Sequence, residues 1–100
     1  MKIEELNRAG LRSISVTGQI VDVSEVRNVT TRMGQQSRVA DAVLRDETGE
    51  VDLTLWDSQI DSVKVGDNVS IQNGYTTEFR GRTKLNVGRY GTITKVEEGM

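Results

Sequence analysis

The chain contains no cysteine and no histidine. Disulfides, thiol chemistry, zinc sites of the usual kind and imidazole acid/base catalysis are therefore excluded, which argues against an enzyme. No apolar run reaches the roughly 18 residues that cross a bilayer as a helix. The opening MKIEELNRAG also lacks the apolar centre of a secretory signal, so the expectation is a soluble cytoplasmic protein with no membrane partner. Proline is absent as well, so it interrupts no strand. With 100 residues the chain can build one core but not two, and residues 1–100 are expected to form a single domain.

Aromatic residues are few: one tryptophan, one phenylalanine and two tyrosines. The tryptophan closes the most informative stretch, DETGEVDLTLW at 46–56. Asp46 and Thr48 can bond the local backbone and Gly49 can supply a positive φ, which predicts a tight turn between antiparallel strands. In the second strand Val51, Leu53 and Leu55 share one face, while Asp52, Thr54 and Trp56 share the other. Trp56 is thus predicted to face outward, leaving apolar area in water whose burial would stabilise by roughly 1.5–3 kcal/mol. Either something covers it or something binds it.

The other elements follow in order. Ile3 and Leu6, bounded by Gly10, support one short helical turn in an N-terminal extension at 1–13. Ile14, Val16 and Ile20 form a first strand whose apolar parity slips by Val21 and Val23, as a bulge or bend at Gly18 would permit. NVTTRMGQQ at 28–36 is polar and predicts a loop. Ser37–Arg45 predicts a second strand with apolar residues at both parities: Ala40, Ala42 and Leu44 against Val39 and Val43. The sequence does not decide which set faces in. Ser58–Gly66, with Ile60, Val63 and Val65, predicts a helical turn plugging the core. Val69 and Ile71 begin a fourth strand, and Gly81 between two arginines marks another hairpin. Leu85, Val87, Ile93 and Val96 belong to a last strand bent at Gly88.

The net charge is −2, but its distribution is uneven. Val26 to Ala40 holds no acid but has Arg27, Arg32 and Arg38. Phe79 to Val96 holds none but has Arg80, Arg82, Lys84, Arg89 and Lys95. If the fold joins these windows they form one electropositive strip; the bland alternative is chance clustering. Five short strands with glycine-marked bends bury a core and hide their edges by closing on themselves. The predicted fold is therefore all-β: a five-stranded antiparallel Greek-key barrel of the OB type, with at most a short helical turn. Ligands of that fold lie across strands two and three between the 1-2 and 4-5 loops, where the two basic windows fall.

DETGEVDLTLW, followed by VKVGDNVSIQNGYTTEFRGRTKLNVG, resembles the simple single-stranded-DNA-binding proteins of archaea, single-OB relatives of replication protein A, and their small human counterparts. The likeness runs from about Ser15 to Val96. It implies sequence-tolerant binding of single-stranded DNA in replication, repair or recombination, a nucleoid-associated location, no cofactor and no catalysis. Replication or repair proteins stand as candidate partners, and a monomer or weak oligomer is expected. The family's three stacking aromatics match Trp56, Tyr75 and Phe79; Tyr75 stands where relatives often have tryptophan. Many relatives also carry an acidic, Gly-rich tail. This chain stops at VEEGM, so 97–100 is expected to be a short end without one.

Each assignment has a plain alternative. Trp56 could lie along the rim or meet a partner chain. Counting by twos from Val69 and Ile71 turns Tyr75 inward unless Asn73-Gly74 resets the register. Phe79, beside Arg80-Gly81-Arg82 on a loop, has little core to join. Tyr90 has no motif match and is read as packing. Arg27, Arg32, Arg38, Arg80, Arg82 and Lys84 are the candidate phosphate contacts, each unremarkable alone. Asp41, Asp52 and Thr54 share the same surface, so bases would face the sheet and phosphates the loops. RNA binding and a protein-interaction role remain open. An enzyme, with Asp46, Asp52 and Asp57 imagined as metal ligands, is the weakest reading.

Overall fold

The computed structural model describes residues 2–96, except for the side chains of residues 88–90. The short end at 97–100 and the packing of Tyr90 lie outside the described residues, as does the side chain of Arg89. The strands are β1 (Ile14–Val23), β2 (Arg27–Thr30), β3 (Gln36–Asp46), β4 (Gly49–Trp56), β5 (Asn68–Phe79) and β6 (Arg82–Lys95). A 3-10 turn at Ile3–Glu5 precedes them, and α1 (Ser58–Ser62) links β4 to β5.

The sheet runs β1-β5-β6-β4-β3-β2, and β1 also pairs with β3. That second pairing closes β1, β5, β6, β4 and β3 into a ring and leaves β2 outside it, the arrangement of an OB-fold. The ring is antiparallel at every seam except β4–β6, where Leu53 meets Leu85 in parallel register. Alternation fills its interior: Ile14, Ile20, Leu44, Leu53, Leu55, Val69, Ile71 and Leu85 are fully buried. Each such side chain contributes roughly 1.5–3 kcal/mol by leaving water. Ile3 and Leu6 close one end of this core, Val63 after α1 joins it, and Ile60 packs against it. Val65, expected with them, is exposed, because the chain has already turned toward Gly66.

Three local expectations need correction. The polar stretch at 28–36 is partly strand: β2 pairs with β3 from Arg27↔Val39 to Thr30↔Gln36, making a two-stranded arm beyond the ring. It has no apolar face to bury, so main-chain pairing and polar side-chain contacts such as Gln36 to Thr30 define it. The parity slip of β1 falls at Val21, between Ile20↔Leu44 and Asp22↔Val43, and not at Gly18. Gly18 serves close packing instead, since a Cβ there would stand 2.7 Å from the Arg45 carbonyl oxygen. Finally, Phe79 does not lie on a loop. Arg80 (φ 52°) and Gly81 (φ 80°) make a two-residue turn of type I′ form, and Phe79 is the last residue of β5.

Candidate nucleic-acid interface

The outward face is set by the turn chemistry and strand parity beneath it. Asp46 accepts hydrogen bonds from Thr48 and Gly49 within the β3–β4 turn, and also from the N–H of Ile3 at 2.9 Å. Burial pushes this carboxyl upward, but the hydrogen bonds from Thr48, Ile3 and Gly49 together outweigh it and hold it below the usual carboxylate range. The hairpin and the N-terminal turn are thereby tied together, and the apolar alternation of β4 sets its parity. Leu53 and Leu55 point in, and Trp56, whose backbone N–H donates to the Gln59 side-chain oxygen at 3.0 Å, points out.

Small residues settle the parity of β3. Ala40, Ala42 and Leu44 face in, while Val39, Asp41 and Val43 face out. Val39 is nevertheless buried, flanked in register by Trp56 on β4 and Arg27 on β2. On β5 the register is reset as Asn73-Gly74 allowed. Asn73 adopts φ 60° at a bulge, Gly74 turns in, and Tyr75 turns out. Thr76 is buried behind Tyr75 and holds the N-terminal segment, donating its hydroxyl to the Arg8 carbonyl at 2.7 Å.

One cross-strand row therefore reads Asp41, Thr54, Asn86, Tyr75, and the next reads Val43, Asp52, Lys84, Thr77. Trp56 lies beyond the first row at one end of the face, and Phe79 lies beyond the second at the other. From strand and residue spacings, Trp56 and Tyr75 are about 12 Å apart, and Tyr75 and Phe79 about 13 Å. Exposure is 39% for Trp56, 39% for Tyr75 and 56% for Phe79. All three aromatics thus share one face and form a diagonal across it.

The basic residues divide. Arg27, Arg82 and Lys84 reach the face, and each meets an acid there. Arg27 pairs with Asp41 at 3.0 Å, Lys84 with the same Asp41 at 3.5 Å, and Arg82 with Asp52 at 3.0 Å. Arg80 and Lys84 stand 5.2 and 5.4 Å from the centroid of the Phe79 ring, within cation–π range. Arg32 is exposed at the tip of the β2–β3 arm, beside Met33, which is 86% exposed. Arg38 has inward parity and is not brought to the face. It binds Asp61 of α1 at 2.7 Å, and that hydrogen bond and attraction lower the Asp61 carboxyl and raise the guanidinium.

The ion pairs on the face were not read from the sequence. Their partners lie 14, 30 and 43 residues apart, and the adjacency of β2, β3, β4 and β6 joins them. The three acids considered for a metal are used separately. Asp46 caps its turn, Asp52 binds Arg82, and Asp57 accepts the Arg38 N–H at 2.9 Å. Among the described residues no group of three or more acids is placed to hold a metal ion.

Residues 9–95 match the family described as single-stranded DNA binding protein Ssb-like, OB fold. The single-stranded DNA binding protein Ssb of Saccharolobus solfataricus is 36% identical over 91 residues, covering 91% of this chain and 61% of that protein. Replication factor A of Methanothermobacter thermautotrophicus is 33% identical over 82 residues, covering 78% of this chain and 10% of that protein. The chain thus spans less than two thirds of the length of these relatives. Among solved structures, an OB domain from Thermoplasma acidophilum superimposes with a TM-score of 0.81 at 22% identity, covering 100% of this chain and 89% of that one. The fold is accordingly the OB-fold, and the family match along nearly the whole chain shows that this protein belongs to the Ssb-like family of OB-fold proteins.

Proposed function

We propose that the chain binds single-stranded DNA with little sequence preference, by stacking bases on Trp56, Tyr75 and Phe79, and that it protects such strands during replication, repair or recombination. The observation that carries this reading is the placement of three exposed aromatics on one sheet face of a chain in the Ssb-like family. Stacking contributes on the order of 1–3 kcal/mol per base, so three platforms supply roughly 3–9 kcal/mol. Micromolar affinity needs about 8 kcal/mol, which stacking and loop cations together reach after ordering costs. A duplex offers no free bases to the aromatics and binds poorly.

The diagonal from Trp56 to Phe79 is about 22 Å long by the same strand geometry. Stacked nucleotides at about 3.4 Å each would number about six along it. An extended strand with splayed bases covers it with fewer, which supports a site of about 4–6 nucleotides. Fluorescence anisotropy with matched oligo-dT, oligo-rU and duplex tests this. Tight dT and weak duplex binding are expected. Equal rU binding would widen the substrate to RNA, and absence of binding to every strand would leave the aromatic face as a protein-docking surface.

A further inference from the structure

We infer that Asp41 and Asp52 are specificity-determining residues that make the face select strands by their free bases and not by their phosphates. This rests on the single-strand reading above. Among the described residues, the three cations that reach the face between the aromatics are each held by one of these two carboxylates: Arg27 and Lys84 by Asp41, Arg82 by Asp52. The acids lie beneath their arginines. Side-chain exposure is 36% for Asp41 against 58% for Arg27, and 19% for Asp52 against 73% for Arg82. An arriving phosphate therefore meets an arginine above and a like charge below.

The consequence is an ion exchange. To pair with Arg82, a phosphate must displace the Asp52 carboxylate, which then returns to water and attracts a salt cation. The counterion lost from the nucleic acid is matched by one taken up at the protein, and the release that normally drives phosphate binding is cancelled. Exposed pairs of this kind are worth about 0–1 kcal/mol, so the exchange is nearly neutral in energy. A duplex, which offers mainly phosphates, gains almost nothing. A single strand still gains stacking on Trp56, Tyr75 and Phe79, and the cations, pinned by their acids, frame the backbone without drawing it onto the sheet.

The test compares wild type with Asp41→Asn, Asp52→Asn and the charge control Glu47→Gln, a residue exposed in the β3–β4 turn. Each is titrated with labelled oligo-dT and with duplex at several salt concentrations. For oligo-dT, the slope of log K against log salt should steepen by about 0.7 in Asp52→Asn and about 1.4 in Asp41→Asn, which frees two cations. Duplex affinity should rise by a larger factor than dT affinity, so the dT-to-duplex ratio falls. Adding Arg82→Gln to Asp52→Asn should restore the wild-type slope, a readout that general charge removal does not produce. Glu47→Gln should leave slope and ratio unchanged. The assignment is overturned if the Asn variants keep the wild-type slope and ratio, or if Glu47→Gln matches them. Wild-type protein that binds no oligo-dT would instead overturn the proposed function itself.

Discussion

Phe79→Ala separates binding from folding more cleanly than any other change on the face. The ring is 56% exposed at the end of β5, outside the core cluster, and its near neighbours of note are the cations of Arg80 and Lys84. Exposed cation–π contacts are worth about 0.5–1 kcal/mol each, and the ring is in water in the unfolded chain as well, so its removal brings no offsetting gain. The stability cost is thus about 1–2 kcal/mol, a melting-temperature shift of about 4–16 °C for a domain of this size. The loss of binding is read separately, on protein that is still folded. Loss of one stacking platform at about 1–3 kcal/mol corresponds to roughly 5- to 150-fold weaker binding of oligo-dT. Phe79→Leu keeps the apolar bulk but not the π-face, and should lose most of the same affinity. Anisotropy titrations beside circular-dichroism melts supply both readouts. Affinity within twofold of wild type for Phe79→Ala, or full affinity in Phe79→Leu, would refute the stacking argument.

Two further outcomes concern the scaffold. Gly18→Ala places a Cβ 2.7 Å from the Arg45 carbonyl oxygen, a backbone atom that cannot swing aside, and should cost about 1–3 kcal/mol in urea unfolding. The Asp46 carboxyl is depressed below its unfolded value near 3.8, so its contribution is complete above that pH and is lost as pH falls through the lower folded value. Asp46→Asn should be less stable at neutral pH and lose less on acidification, as read from urea midpoints across the acid range.

Elements that bury one face were legible in the sequence, and elements that do not were not. The alternation of Val51, Leu53 and Leu55 against Asp52, Thr54 and Trp56 fixed β4 because one side enters the core. In β3 both parities are apolar, and the choice went to Ala40 and Ala42; Val39 is covered on the outer face, flanked by Trp56 and Arg27. The arm of β2 left no periodic trace because Asn28, Thr30 and their partners stay in solvent. The bulge at Asn73, which decides whether Tyr75 faces a ligand or the core, was suggested by Asn-Gly but needed the strand register to settle it. Arg38 looked like its neighbours in a basic window, yet parity sends it to Asp61. The pairing of the remaining cations with Asp41 and Asp52 depends on strands distant in sequence, which no local pattern announces.

Trp56 is the chain's sole tryptophan, so its emission reports directly on the proposed site. Titration with oligo-dT and with duplex at two salt concentrations should give strong quenching by the single strand, little response to the duplex and a shallow salt dependence. Unchanged emission, with anisotropy still registering bound oligo-dT, would contradict stacking on Trp56 and with it the three-platform site.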